Sequence, residues 1–157
     1  MSTDPEQSFL GESRMPLQNP PPDEIAALLK SARTIAVLGL SDNPARASCG
    51  VALAMQRYGF RIIPVNPGLK SWQGIPAIPD LDHLGTVLRP GDKVDVVNVF
   101  RQPHHVDAIV DRCLALRLPA LWLQLGVVNE AAADRARTAG MTVVMDRCIY
   151  VERAALG

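Results

Sequence analysis

The chain has 157 residues, with 16 basic and 16 acidic side chains and a formal net charge of zero. That balance offers no basic surface to nucleic acid or to an anionic membrane. At 48% hydrophobic and 20% charged residues the composition is that of an ordinary globular chain, of a length that suits one domain, and no apolar run approaches the roughly 18 residues of a membrane span.

Residues 1 to 22 are polar and proline-rich and end in Pro20-Pro21-Pro22. They hold too little apolar surface to bury a core, so a mobile or loosely docked tail is expected. No basic segment precedes an apolar one there, so no export signal is expected and the cytoplasm is the expected compartment. The three cysteines, Cys49, Cys113 and Cys148, are widely spaced without a C-x-x-C pair, which points to free thiols rather than a zinc or dithiol motif.

Asp23 reads as the N-cap of a helix over "EIAALLKSA". From Thr34 the pattern alternates. "TIAVLGL" is a short apolar strand, and "SCGVALAMQRYG" a helix with Val51, Ala54, Met55 and Tyr58 on one face and Gly59 as its stop. "RIIPV" is the second strand. The stretch "NPGLKSWQGIPAIPDLDHL" is a long loop, with an edge strand at Ile75 to Ile78 and a helical turn after Pro79. "VDVVNVF" is a strand, and "PHHVDAIVDRCLALR" a helix whose first turn tolerates Pro103. "ALWLQL" is a strand, with Trp122 expected in the core. "NEAAADRARTAG" is a helix capped by Asn129 and stopped by Gly140. "MTVVMD" is the last strand. Short apolar strands separated by helices predict an α/β protein: a single Rossmann-like doubly wound parallel sheet over residues 23–157.

Ligands of such sheets lie beyond the carboxyl ends of the strands, where strand order reverses. Here those ends are rich in Gly, Asn, Gln, Arg and Ser. The first of them, "IAVLGLSDNPARASCG", has the outline of a phosphate loop. Gly39 allows a sharp turn, Ser48 is placed to cap the next helix, and Arg46 adds a cation beside the positive helix end. A solvated surface arginine is the plainer alternative for Arg46. There is no G-x-x-x-x-G-K-[ST], and Gly39 lacks the other two glycines of G-x-G-x-x-G. The second strand ends in Val65-Asn66-Pro67, without the carboxylate that NAD binding usually wants for its ribose hydroxyls. Lys70 follows, where it could meet a ribose phosphate or simply be solvated.

In order and spacing, "GLSDNPARAS", "RIIPVNPG", "VDVVNVFR", "LWLQLGVVNEAA" and "MDRCI" resemble the small single-domain CoA-binding proteins. These are relatives of the N-terminal CoA-binding domain of the succinyl-CoA synthetase alpha subunit. The resemblance spans about residues 24 to 155. It implies a Rossmann-type domain that binds coenzyme A or a short acyl-CoA, a small-molecule nucleotide ligand, without the ligase reaction, whose other domains are absent from this sequence. Carried onto this chain, Gly39, Ser41, Arg46 and Ser48 would hold the pyrophosphate. Val65, Asn66 and Pro67 would border the adenosine, and Phe100 and Arg101 would close over it. Gln124, Gly126 and the Asp146-Arg147-Cys148 end would lie toward the pantetheine arm.

Catalysis has thinner support. His104 and His105 could do acid–base work or form an exposed first helical turn. Cys148, beside Arg147, could form a mixed disulfide with CoA under oxidation, as could Cys49 at a helix start, unless both are inert. Trp72 could cover the adenine or pack the sheet edge. Two other readings compete with a non-catalytic CoA binder: a small NAD(P)-dependent oxidoreductase, and a regulatory interaction module with a structural nucleotide.

Overall fold

A computed structural model describes residues 18–157. In chain order the elements are α1 (Pro22–Ser31), β1 (Thr34–Leu38), α2 (Ala47–Arg57), β2 (Arg61–Val65), a small hairpin of β3 (Ser71–Trp72) and β4 (Ile75–Pro76), a 3-10 segment Leu81–Thr86, β5 (Val96–Val99), a 3-10 turn Pro103–His105, α3 (Val106–Ala115), β6 (Ala120–Leu123), α4 (Glu130–Thr138), β7 (Thr142–Met145) and α5 (Ile149–Ala154).

The main sheet is parallel, in the order β2-β1-β5-β6-β7. Four of its strands are buried at nearly every position, so they read as apolar runs rather than alternations. Alternate side chains nevertheless enter different cores. Ile35, Val37, Ile62, Val96, Trp122 and Val144 pack against α1, α2 and α5 through Leu29, Met55 and Ile149. Ala36, Leu38, Ile63, Val97, Val99, Leu121 and Val143 pack on the other face against α3 and α4 through Val106, Val110 and Ala133. The chain goes from β1 outward to β2 and returns to β5 on the opposite side of β1. Strand order therefore reverses between β1 and β5, and a crevice opens beyond their carboxyl ends.

Several local expectations are corrected. The first helix starts at Pro22 and not after an Asp23 cap; Asp23 sits in the first turn, where its Oδ1 accepts from Glu24 N at 3.0 Å. The buried face of α2 is Ser48, Cys49, Ala52 and Met55; of the expected stripe, Met55 is buried and Val51 packs partly buried beside it, whereas Tyr58 lies beyond the helix, 38% exposed. Tyr58 is held instead by the Arg153 guanidinium, 4.4 Å above its ring. The expected edge strand at residues 75–78 is a two-residue hairpin arm followed by a bridge between Val65 and Ile78. Helix α5 was not anticipated at all: six residues are too few to show a helical period. Asn129 does cap α4, its side chain accepting from Ala132 N at 3.1 Å. Trp122 is fully buried and donates from Nε1 to Arg147 O at 2.9 Å.

Most of the proline-rich tail lies outside the described residues. At its described end, Asn19 bonds both backbone groups of Met145 on the free edge of β7: Nδ2 donates to Met145 O at 3.0 Å, and Oδ1 accepts from Met145 N at 2.7 Å. The side-chain amide thus pairs with the edge as a neighbouring strand would.

Among the cysteines, burial pushes the Cys113 thiol up to about 12. Cys49 is 2% exposed, whereas Cys148 is half-buried. A thiol reagent applied to the folded protein is therefore expected to label one cysteine quickly and the other two only on unfolding. Mass spectrometry of a Cys148→Ser variant checks this; a surviving fast phase would contradict it.

Candidate functional site

The crevice is built from the backbone outward. Gly39, with φ of +84°, ends β1 and donates its N–H to Val65 O at 2.9 Å. Phe100 N reaches Leu38 O at 2.8 Å, so the ends of β1, β2 and β5 are stitched together. A Cβ on Gly39 would stand 2.4 Å from Phe100 O, so only glycine permits this approach.

The loop from Leu40 to Arg46 then folds on its own side chains. Ser41 Oγ accepts from Asn43 N at 3.0 Å, and Asn43 Oδ1 accepts from Ala45 N at 2.9 Å. Ser48 is not the helix cap that its position suggests; Arg46 occupies the N-cap. Helix α2 begins at Ala47, which leaves Ser48 inside the first turn. Its buried Oγ accepts from Ser41 N at 3.0 Å and fixes the loop against the helix. Asn66 braces the other wall, with Nδ2 donating to Leu40 O and Oδ1 accepting from Gly68 N, both at 3.0 Å.

The result is a cleft of about 430 Å³ lined by Gly39, Ser41, Arg46, Ala47, Ser48, Asn66 and Phe100. Among the described residues, the N–H groups of Ala47 and Ser48 and the side chain of Arg46 have no protein partner. Two free helix N-terminal N–H groups and one free guanidinium on one cleft make a site for an anion.

A second cleft, about 180 Å³, lies on the α3 side of the same crevice. Its walls are apolar, from Leu38, Val65, Pro67 and Ile109, and Arg101, His105, Asp80 and Arg112 stand around it. Arg101 Nη2 donates to His105 Nε2 at 3.1 Å. Burial, with the charges of Arg101 and His104 behind it, holds His105 below the usual imidazole range. At neutral pH the ring is then uncharged and accepts through Nε2. Asp80 is committed elsewhere: its Oδ1 meets His83 Nδ1 at 2.7 Å, and this contact holds its carboxyl below the usual range. Arg112 is paired with Asp82 at 2.6 Å.

Of the residues singled out in the sequence, Gly39, Ser41, Arg46, Ser48, Asn66 and Phe100 thus line one cleft, and Val65, Pro67 and Arg101 the other. Lys70, Gln124, Gly126 and Cys148 line neither. Lys70 is exposed on the loop before β3. Gln124 is 5% exposed, and its Oε1 accepts from Asn98 Nδ2 at 3.1 Å and from Ile149 N at 3.3 Å. Gly126 N donates to Asp146 Oδ1 at 2.8 Å, which ties the loops after β6 and β7 together. Cys148 is the N-cap of α5. Trp72 is 1% exposed and packs in the core on the α1 and α2 side, away from both clefts. The second cleft's contributions from Pro79, Asp80, Ile109 and Arg112 were not expected. His105 stands four residues after Arg101, and that spacing at a helix entry was the one available signal.

Among the described residues no helix is long and apolar enough to cross a membrane, and no group of three His, Cys, Asp or Glu side chains could hold a metal ion.

Residues 33–154 match the family model described as CoA binding domain. The uncharacterized protein YneT of Bacillus subtilis (strain 168) is 39% identical over 138 residues, covering 88% of this chain and 98% of its own. A solved structure from Thermus thermophilus, titled as cell-free ID.343, is 34% identical with a TM-score of 0.78, over 87% of this chain and 98% of that one. The apo dinucleotide-forming acetyl-coenzyme A synthetase of Ca. Korarchaeum cryptofilum shares the fold at 21% identity and a TM-score of 0.59, over 72% of this chain but only 26% of the synthetase.

Proposed function

The chain belongs to the CoA-binding domain family, and from that premise we propose that it binds coenzyme A or a short acyl-CoA across the β1–β5 switch point, without catalysis of its own. The observation that carries this reading is the cleft of Arg46, Ser48 and Ala47, where free N–H groups and a free guanidinium converge beside Gly39. A pyrophosphate there would accept from the α2 N-terminus and from Arg46. The adenosine would then extend over Asn66 and Pro67 into the apolar second cleft. The pantetheine arm would leave across β6 toward Gly126 and Cys148, and the cytoplasm would be the compartment in which the domain acts.

An NAD(P) oxidoreductase is the weaker alternative. The end of β2 offers Val65-Asn66-Pro67 and no acid for ribose hydroxyls, and the Asn66 side chain is already spent on Leu40 O and Gly68 N. The imidazole nearest the crevice, His105, is likewise engaged with Arg101.

Calorimetric titration with CoA, acetyl-CoA, NAD and NADP tests the reading. CoA is expected to bind best. Arg46→Ala is expected to weaken CoA by about 10-fold or more, the loss of one charge-assisted contact worth roughly 1.5–3 kcal/mol. Preference for NAD or NADP, or no nucleotide binding, would refute it.

A further inference from the structure

The crevice has two cationic corners, one on each side of Gly39. The first is Arg46 with the start of α2. The second is Arg101, whose Cδ lies 2.9 Å from where a Gly39 Cβ would stand, so the side chain is laid across that glycine toward the second cleft. Arg101 is half-buried, and among the described residues no carboxylate pairs with it. Other arginines behave differently: Arg112, on the same cleft, is paired with Asp82, and Arg61, at the far end of the sheet, with Asp92. Arg101 is oriented by a neutral acceptor, His105 Nε2, and is not neutralised by an acid. His104 lies against the His105 ring, centroids 4.1 Å apart, and supports it from the solvent side. A guanidinium so held keeps its full charge and most of its five N–H donors for a ligand.

Two separate anion-seeking corners call for a ligand with two separate anionic groups. Coenzyme A has them: a pyrophosphate on the 5′ side of its ribose and a phosphate monoester on the 3′ oxygen. NAD has the first alone. Resting on the CoA reading above, we propose that Arg101, positioned by His105, takes the ribose 3′-phosphate. This pair, and not Lys70, makes the domain select CoA over 3′-dephospho-CoA. Lys70 lines neither cleft, whereas Arg101 borders the apolar pocket offered to the adenosine.

The test is calorimetric titration of CoA and 3′-dephospho-CoA into the wild type and six variants. The wild type is expected to prefer CoA by about 10-fold or more, as for one charge-assisted fork. Arg101→Gln brings CoA down to the level of dephospho-CoA and leaves the latter unchanged. Arg101→Lys, which keeps the charge and most of the packing, retains a reduced preference and shows that the effect is not misfolding. His105→Ala lowers the preference and His105→Asn, which restores an acceptor for Arg101, recovers it. Lys70→Gln leaves the preference intact, and Arg46→Ala weakens both ligands alike.

Equal weakening of both ligands by Arg101→Gln would overturn the proposal. So would a preference that survives Arg101→Gln or disappears with Lys70→Gln. An unchanged preference in His105→Ala would overturn the positioning role. If the wild type binds CoA without preferring it to dephospho-CoA, this inference alone fails; if it does not bind CoA, the functional reading fails and takes the inference with it.

Discussion

Replacing Gly39 by alanine is expected to lower the stability of the free domain by about 2–5 kcal/mol and to abolish measurable CoA binding. Two effects add. At φ of +84° an L side chain occupies the left-handed region, at a cost of roughly 1–2 kcal/mol. The new Cβ would also stand 2.4 Å from Phe100 O and 2.9 Å from Arg101 Cδ. The first of these is backbone at the end of a central strand and cannot swing away, so overpacking of about 1–3 kcal/mol follows. Relief requires the ends of β1 and β5 to separate, which displaces Phe100 and Arg101 together. Gly126 provides the control. Its φ is +87°, but a Cβ there meets nothing within 4 Å, so Gly126→Ala is expected to show only the conformational cost. Urea unfolding of the two variants compares them directly. Equal losses would show that the close approach at the switch point is not what selects glycine.

What the sequence made legible follows from burial. Strands covered on both faces must be apolar throughout, so "TIAVL", "RIIPV" and "ALWL" could be placed almost to the residue. Gly39 was legible because a glycine closing such a strand before a polar loop has few other uses. Ser48 was misplaced by two positions: a serine near a helix start suggests a cap, but the loop makes its own turns through Ser41 and Asn43, so the helix begins earlier and the hydroxyl braces the loop. The second cleft was largely illegible because it is assembled from four distant segments, at Leu38, around Pro67, from Pro79 to Leu81, and from Arg101 to Arg112. No local pattern announces that they meet. The bonding of Gln124 was illegible for a related reason. A polar residue at the end of a strand suggests a ligand edge, yet here it faces another polar residue, Asn98, inside the adjacent strand, and nothing local reveals that pairing.

Gln124→Leu is therefore expected to cost about 2–4 kcal/mol of stability, through two groups it leaves behind. Asn98 is 1% exposed, and without Gln124 Oε1 its Nδ2 keeps only a 3.4 Å contact with Trp122 O. The Ile149 N–H, the first of α5, loses its acceptor as well. Asn98→Leu alone is expected to cost less, since Gln124 Oε1 retains the Ile149 N–H. The double variant is expected to be more stable than the sum of the singles predicts, because removing both partners of a buried pair leaves fewer orphaned groups than removing one. Urea unfolding of the four proteins measures the coupling, and additivity within about 0.5 kcal/mol would contradict it. The same variants separate two roles for Gln124 at the carboxyl edge of β6. As a bracket holding α5 against the sheet, it should affect CoA affinity only through the folded fraction. A loss of affinity in fully folded Gln124→Leu, absent from Asn98→Leu, would instead assign its side chain a direct contact with the ligand.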